Sequence, residues 1–200
     1  MIKQRPIMFS GQMVRSILDG RKTQTRRVIA PRNLQNKLCP YGAPGSVLWV
    51  RETWAETDTP DGTPVVVYRA GGCIPVGRKN DADYLIHNWG MPGTPEPGRW
   101  KPSIHMPRWA SRILLEITDV RVQRLQDITE EDAIEEGIER LKSGRGFYNP
   151  TVSKSAVHFG VYTGSAKEAF RLLWEKINAK RGCSWETNPW VLAITFKRVA

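Results

Sequence analysis

Apolar and polar positions alternate with two different periods along this chain, and the changes of period mark its elements. Pro6 to Phe9 reads as a short first strand. Ser10 to Asp19 carries Met13, Val14, Ile17 and Leu18 on one helical stripe, with Ser10 as a cap and Gly20 as a left-handed stop. Thr25 to Ile29 is strand-like. Ser46 to Trp54 reads as one strong strand, with Val47, Trp49, Arg51 and Thr53 on one face and Leu48, Val50, Glu52 and Trp54 on the other. After the turn signal Thr59-Pro60-Asp61-Gly62, Thr63 to Arg69 returns as its hairpin partner.

Residues 71–105 break the pattern. Six glycines and five prolines in that stretch argue for a loop insertion, which Tyr84, Trp89 and Trp100 would anchor over the mouth of a barrel. Regular spacing resumes in Arg112 to Leu125, a long bent strand, and a near-capping-box at Thr129 starts a helix that Gly137 ends. A second loop insertion covers residues 143–164. Ser165 caps a helix to about Lys180 with Ala169, Leu172, Leu173, Trp174 and Ile177 as its buried stripe, and Trp190, Leu192, Ile194 and Phe196 alternate in a final strand. The sum is an α+β chain, a single domain over residues 1–200 built as a small mixed β-barrel with peripheral helices.

Chemistry concentrates in Gly20-Arg21-Lys22-Thr23-Gln24-Thr25-Arg26-Arg27, the corner between the first helix and the second strand. If the chain still turns at Lys22 and extends only near Thr25, the amine and the hydroxyl converge. Adjacent guanidiniums then disfavour a further positive charge and push the lysine pKa down, so a neutral lysine becomes a general base for a hydroxyl or for water. A solvated basic helix exit is the bland alternative.

The spacing Gly20-x-Lys22-x-x-Thr25-x-Arg27 resembles the GxKxxTxR signature of the ASCH domain, a small β-barrel of the PUA-like superfamily. Pro40 to Trp54, Trp100 to Arg112, Asp127 to Ile138 and Asn188 to Val199 are similar to stretches of the longer ASCH proteins found in phage and prophage genomes. The resemblance implies an RNA- or nucleotide-binding protein. It also implies a hydrolase of the amide bond in an acylated cytosine nucleoside such as N4-acetylcytidine, with Lys22, Thr25 and Glu136 as its catalytic set. Glu136 is assigned by the motif ITEEDAIEEGI, which leaves Glu135 as a neighbouring choice and Glu52 as a third carboxylate. A non-catalytic module that reads RNA or a modified base, a ribonuclease, and a phage protein that binds a host factor remain as alternatives.

Composition narrows the partners. A formal charge of +10 favours an anionic partner, most simply RNA, a nucleoside or a nucleotide. Tryptophan stacks on bases while arginine and lysine hold phosphate, so the binding set reads as Arg21, Arg26, Arg27, Arg51, Glu52, Trp54, Trp100, Arg108 and Trp109. Periodic settings assign Trp49, Trp174 and Trp190 to the core. Glu52, inside an apolar strand, is either a buried partner for an arginine or an acceptor for a base edge. Cys39, Cys73 and Cys183 stand far apart without a CxxC pair, and the three histidines are scattered, so neither a metal nor another cofactor is expected. No run is long enough to span a membrane and no secretory leader opens the chain, which predicts a cytoplasmic protein.

Overall fold

The computed structural model describes residues 4–30, 33–34, 39–60, 62–76, 97–141, 144, 146–149 and 162–199. The chain forms two compact units: Met1–Arg15 with Ser46–Glu116 and Arg198–Ala200, and Ser16–Gly45 with Ile117–Lys197. Its class is α+β, with ten strands and three α-helices among the described residues.

In the first unit β1 (Gln4–Met8) runs parallel to β3 (Val47–Arg51), which pairs antiparallel with the start of β7 (Leu114–Arg124). The strand expected over residues 46–54 is broken. β3 stops at Arg51, and β4 (Trp54–Asp58) starts a separate antiparallel sheet with β5 (Pro64–Tyr68) and β6 (Cys73–Pro75). The hairpin partner thus pairs with β4 rather than β3. The break falls at Glu52 and Thr53, where Glu52 forms a buried ion pair and its N–H donates to the sulfur of Met106. Residues 71–105 are not irregular from the outset, because β6 lies within them. Tyr84 and Trp89 fall outside the described residues.

In the second unit the rest of β7 neighbours β10 (Trp190–Arg198), and β10 pairs antiparallel with β2 (Gln24–Val28), Ile194 opposite Thr25 and Ala193 opposite Arg26. Val191 to Ile194 are all buried, so β10 is covered on both faces and its alternation is hidden. Trp190 at its start is exposed, a correction to its expected core role; Arg124 stacks over its ring at 4.4 Å.

Helix α1 (Gly11–Leu18) buries Val14 and Ile17 and stops at Gly20, whose φ of +73° is the left-handed conformation glycine adopts without a Cβ clash. Helix α2 (Glu130–Glu135) is opened by a reciprocal box, with Thr129 Oγ1 accepting from the Asp132 N–H and Asp132 turned back to the Thr129 N–H. Ser165 caps α3 (Ala166–Asn178) by accepting from Glu168. The buried residues of α3 are Ala166, Ala169, Phe170, Leu173 and Trp174. Ile177 is exposed and Leu172 only half-buried, so the stripe is rotated toward Phe170 relative to the expected one. Within the expected loop 143–164, β9 (Phe147–Tyr148) pairs with β8 (Glu139–Arg140).

Candidate active site

The signature corner is pinned from both sides. The Lys22 N–H donates to Ser16 O, the Thr23 N–H to Glu135 O at 2.9 Å, and Thr23 O accepts from the Phe196 N–H at 2.8 Å. These bonds attach the corner to the end of α1, the end of α2 and β10. Gly137 closes the turn after α2 at φ +94°, and a Cβ there would stand 3.4 Å from the Cβ atoms of both Lys22 and Ser16. The left-handed conformation calls for glycine at that position.

Lys22 is fully buried. Its Nζ donates to Glu136 Oε2 at 2.6 Å, to Gln24 O at 2.7 Å and to Glu136 O at 2.8 Å, as many acceptors as an ammonium has hydrogens. Burial lowers its pKa from the usual 10.5; Glu136 opposes the fall, while Arg27 and Arg26 add to it. Glu136 sits at the C-cap of α2 and is 4% exposed. The neighbouring Glu135 carboxylate turns instead to Gln24, whose Nε2 donates to it at 2.9 Å.

Arg26 is buried beside them. Its Nη1 lies 3.3 Å from Glu136 Oε1 and 2.5 Å from Gln24 Oε1, and its Nη2 lies 2.6 Å from Asp132 Oδ2. The guanidinium also rests 5.8 Å from the centre of the Phe170 ring. Asp132 further accepts from Arg121 at 2.9 Å. Burial works against the Asp132 charge, yet Arg121, Arg26 and Gln24 together hold its carboxyl below the usual range.

Thr25 is buried in β2, where strand alternation assigns Gln24 and Arg26 to one face and Thr25 and Arg27 to the other. Arg27 is half-buried; burial lowers its pKa, with Tyr41 and Glu136 opposing and Arg181 adding to the fall. Arg21 reaches the buried Ser16 hydroxyl with its Nη1 at 3.3 Å but is otherwise held at the rim of the corner. It pairs with the exposed Asp19 at 2.6 Å and with the half-buried Glu139.

The remaining candidates lie in the first unit. Arg112 grips Glu52 through a fork, Nε to Oε1 at 2.9 Å and Nη2 to Oε2 at 3.0 Å, and stacks 4.0 Å from the centre of the Tyr68 ring. Glu52 is therefore the buried partner of an arginine. Trp54 is buried against the edge of Trp109, ring centroids 5.8 Å apart at 89°, with Lys101 Nζ 4.5 Å from its centre. Trp109 is 56% exposed. Trp100 packs half-buried against Ala55, Val65, Val67 and Cys73. Arg51 stacks on Trp49 at 4.6 Å, and the exposed Arg108 donates to Gln4 at 2.8 Å.

Sequence reasoning missed Gln24, Asp132 and Arg112. Two of them carried a signal. Gln24 shares a strand face with Arg26, and Asp132 lies four residues before Glu136 on one helix face. Nothing local marked Arg112.

The chain is similar in structure to an ASCH domain. The solved ASCH domain from Lactobacillus crispatus JV V101 matches with a TM-score of 0.43 and 12% identity, over 98% of this chain and 80% of that one. A DUF984 protein from Enterococcus faecalis V583 matches with a TM-score of 0.43 and 9% identity, over 100% of this chain and 77% of that one. No family model matches the chain, and no curated protein matches it. Among the described residues no group of three or more His, Cys, Asp or Glu is placed to hold a metal ion, and no helix is long and apolar enough to cross a membrane.

Proposed function

We propose that the second unit hydrolyses the amide bond of an N4-acylated cytosine nucleoside or nucleotide, with Lys22, Thr25 and Glu136 as the catalytic set. One observation carries this reading. Lys22 and Glu136 share a hydrogen bond of 2.6 Å in a buried setting that lowers the lysine pKa. A lysine and a carboxylate so placed can pass a proton between them, which is what amide hydrolysis asks of a base and an acid.

Lys22 first passes a proton to Glu136 across their 2.6 Å bond, and the neutral amine then takes a proton from a water molecule. The oxygen adds to the acyl carbon, and the carbonyl oxygen becomes an oxyanion. The proton held by Glu136 goes to N4, the C–N bond breaks, and a carboxylic acid and cytosine amine leave. One water is consumed and both groups return to their starting protonation. The net charge of +10 supports a phosphorylated form of the substrate, free or within RNA.

The test is turnover of N4-acetylcytidine and its 5′-phosphate, read by chromatography, with Lys22→Ala and Glu136→Gln in parallel. Product from the wild type, with a loss of roughly 100-fold or more in both variants, supports the reading. Salt-sensitive RNA binding without product would replace it by a binding module. A host protein captured in place of either would make this an interaction protein.

A further inference from the structure

We infer that Arg26, held by Gln24 and Asp132, is a positioning residue that orients the Glu136 carboxylate so that one oxygen faces Lys22. This rests on the hydrolytic reading for its role in turnover, but the arrangement itself can be tested without it.

The distances distinguish what is fixed from what is adjustable. Arg26 is located by three groups besides Glu136: Asp132 at 2.6 Å, Gln24 at 2.5 Å and the Phe170 ring at 5.8 Å. Its bond to Glu136 is the longest of its polar contacts, at 3.3 Å. Arg26 thus keeps its place whatever Glu136 does. Asp132 supplies its counter-charge, and Arg121 fastens Asp132 from the surface side.

That division leaves Glu136 with two unequal oxygens. Oε1 leans on the Arg26 guanidinium. Oε2 makes the 2.6 Å bond to Lys22, whose proton can move. An arginine on Oε1 fixes the rotation of the carboxylate and leaves proton traffic to Oε2. Gln24 ties the parts together, since its side chain holds Arg26 while its carbonyl accepts from Lys22. Its Nε2 also reaches Glu135 at 2.9 Å, Asp132 at 3.2 Å and Thr195 at 3.3 Å.

The decisive experiment is a double-mutant cycle on the titration of Lys22. Its ε-carbon resonance is followed by NMR and assigned by its disappearance in Lys22→Met. Glu136→Gln is introduced into the wild type, into Arg26→Lys and into Gln24→Met, two backgrounds that keep the net charge while loosening the frame. The Lys22 midpoint falls on Glu136→Gln in the wild type, because a stabilising anion is lost. In either loosened background the fall is cut to about half or less, since contacting residues are not additive. An equal fall in all three overturns the proposal, and Gln24→Met decides it should Arg26→Lys not fold. With N4-acetylcytidine, Arg26→Lys lowers kcat by about 100-fold, the scale of a 1 Å misplacement, while KM stays within about twofold. A rise in KM with kcat unchanged would count against it. A wild type without turnover refutes the hydrolase alone, and the cycle still decides the positioning.

Discussion

Each unit buries an ionic centre, and the two centres handle charge in opposite ways. In the first unit Arg112 takes both oxygens of Glu52 in one fork and lays its guanidinium on Tyr68. Both oxygens of the carboxylate are engaged by the one guanidinium. In the second unit Glu136 is divided between Arg26 and Lys22, with Asp132 balancing Arg26. A lysine replaces an arginine at the key contact, and burial brings its pKa down. The same ingredients make a two-point brace in one place and, in the other, a carboxylate shared between a lysine and an arginine. The difference lies in which cation meets the carboxylate, and in whether that carboxylate has one partner or two.

Cutting the brace has the largest effect. Glu52→Ala leaves Arg112 buried without a counter-charge and should cost about 3–5 kcal/mol in urea unfolding. Lys22→Met should cost less, about 1–3 kcal/mol, because Arg26 stays beside Glu136. Equal losses would mean that Lys22 is as structural as Arg112.

The pH dependence of stability sharpens the contrast, because the two shifts have opposite signs. Burial pushes Glu52 above the usual 4.5, against the pull of Arg112. The folded chain then holds that proton longer than the unfolded one. The Glu52 contribution is complete below 4.5 and declines as pH rises through the folded value. Lys22 is lowered from 10.5, so its contribution is complete above 10.5 and declines as pH falls through the folded value. Unfolding midpoints against pH should flatten on the acid side in Glu52→Gln and on the alkaline side in Lys22→Met. A variant that flattens the other side would reverse the assignment.

The smallest effect belongs to the surface. Arg21 pairs with the exposed Asp19 and the half-buried Glu139, and is itself exposed, so Arg21→Ala should change stability by no more than about 1 kcal/mol. A larger loss would show that the corner depends on its outer cation as well as its inner one.

Much of the local frame was legible before any coordinates. The helix ending at Gly20, the caps at Thr129 and Ser165 and the turn at Gly62 follow from spacing and from residues with one preferred backbone role. The break after Arg51 was not legible. Alternation continues through Ser46 to Trp54 as if one strand ran on, and only the buried Glu52–Arg112 pair and the second sheet reveal where it stops. β10 misled in the other direction. A strand covered on both faces buries consecutive residues, so its alternating large side chains did not report which of them, Trp190 included, face solvent.

Chain order alone puts Lys22, Thr25 and the arginines within a few residues of one another at a basic helix-to-strand corner. It does so because a 3.6-residue period and a glycine stop are properties of adjacent positions. Only the tertiary structure decided what that corner meets. Glu136 is 114 residues away from Lys22, Asp132 is 106 from Arg26, and Glu52 is 60 from Arg112. A charge buried in the fold is matched by whichever partner the chain's pairing brings to it, and no local pattern records that choice.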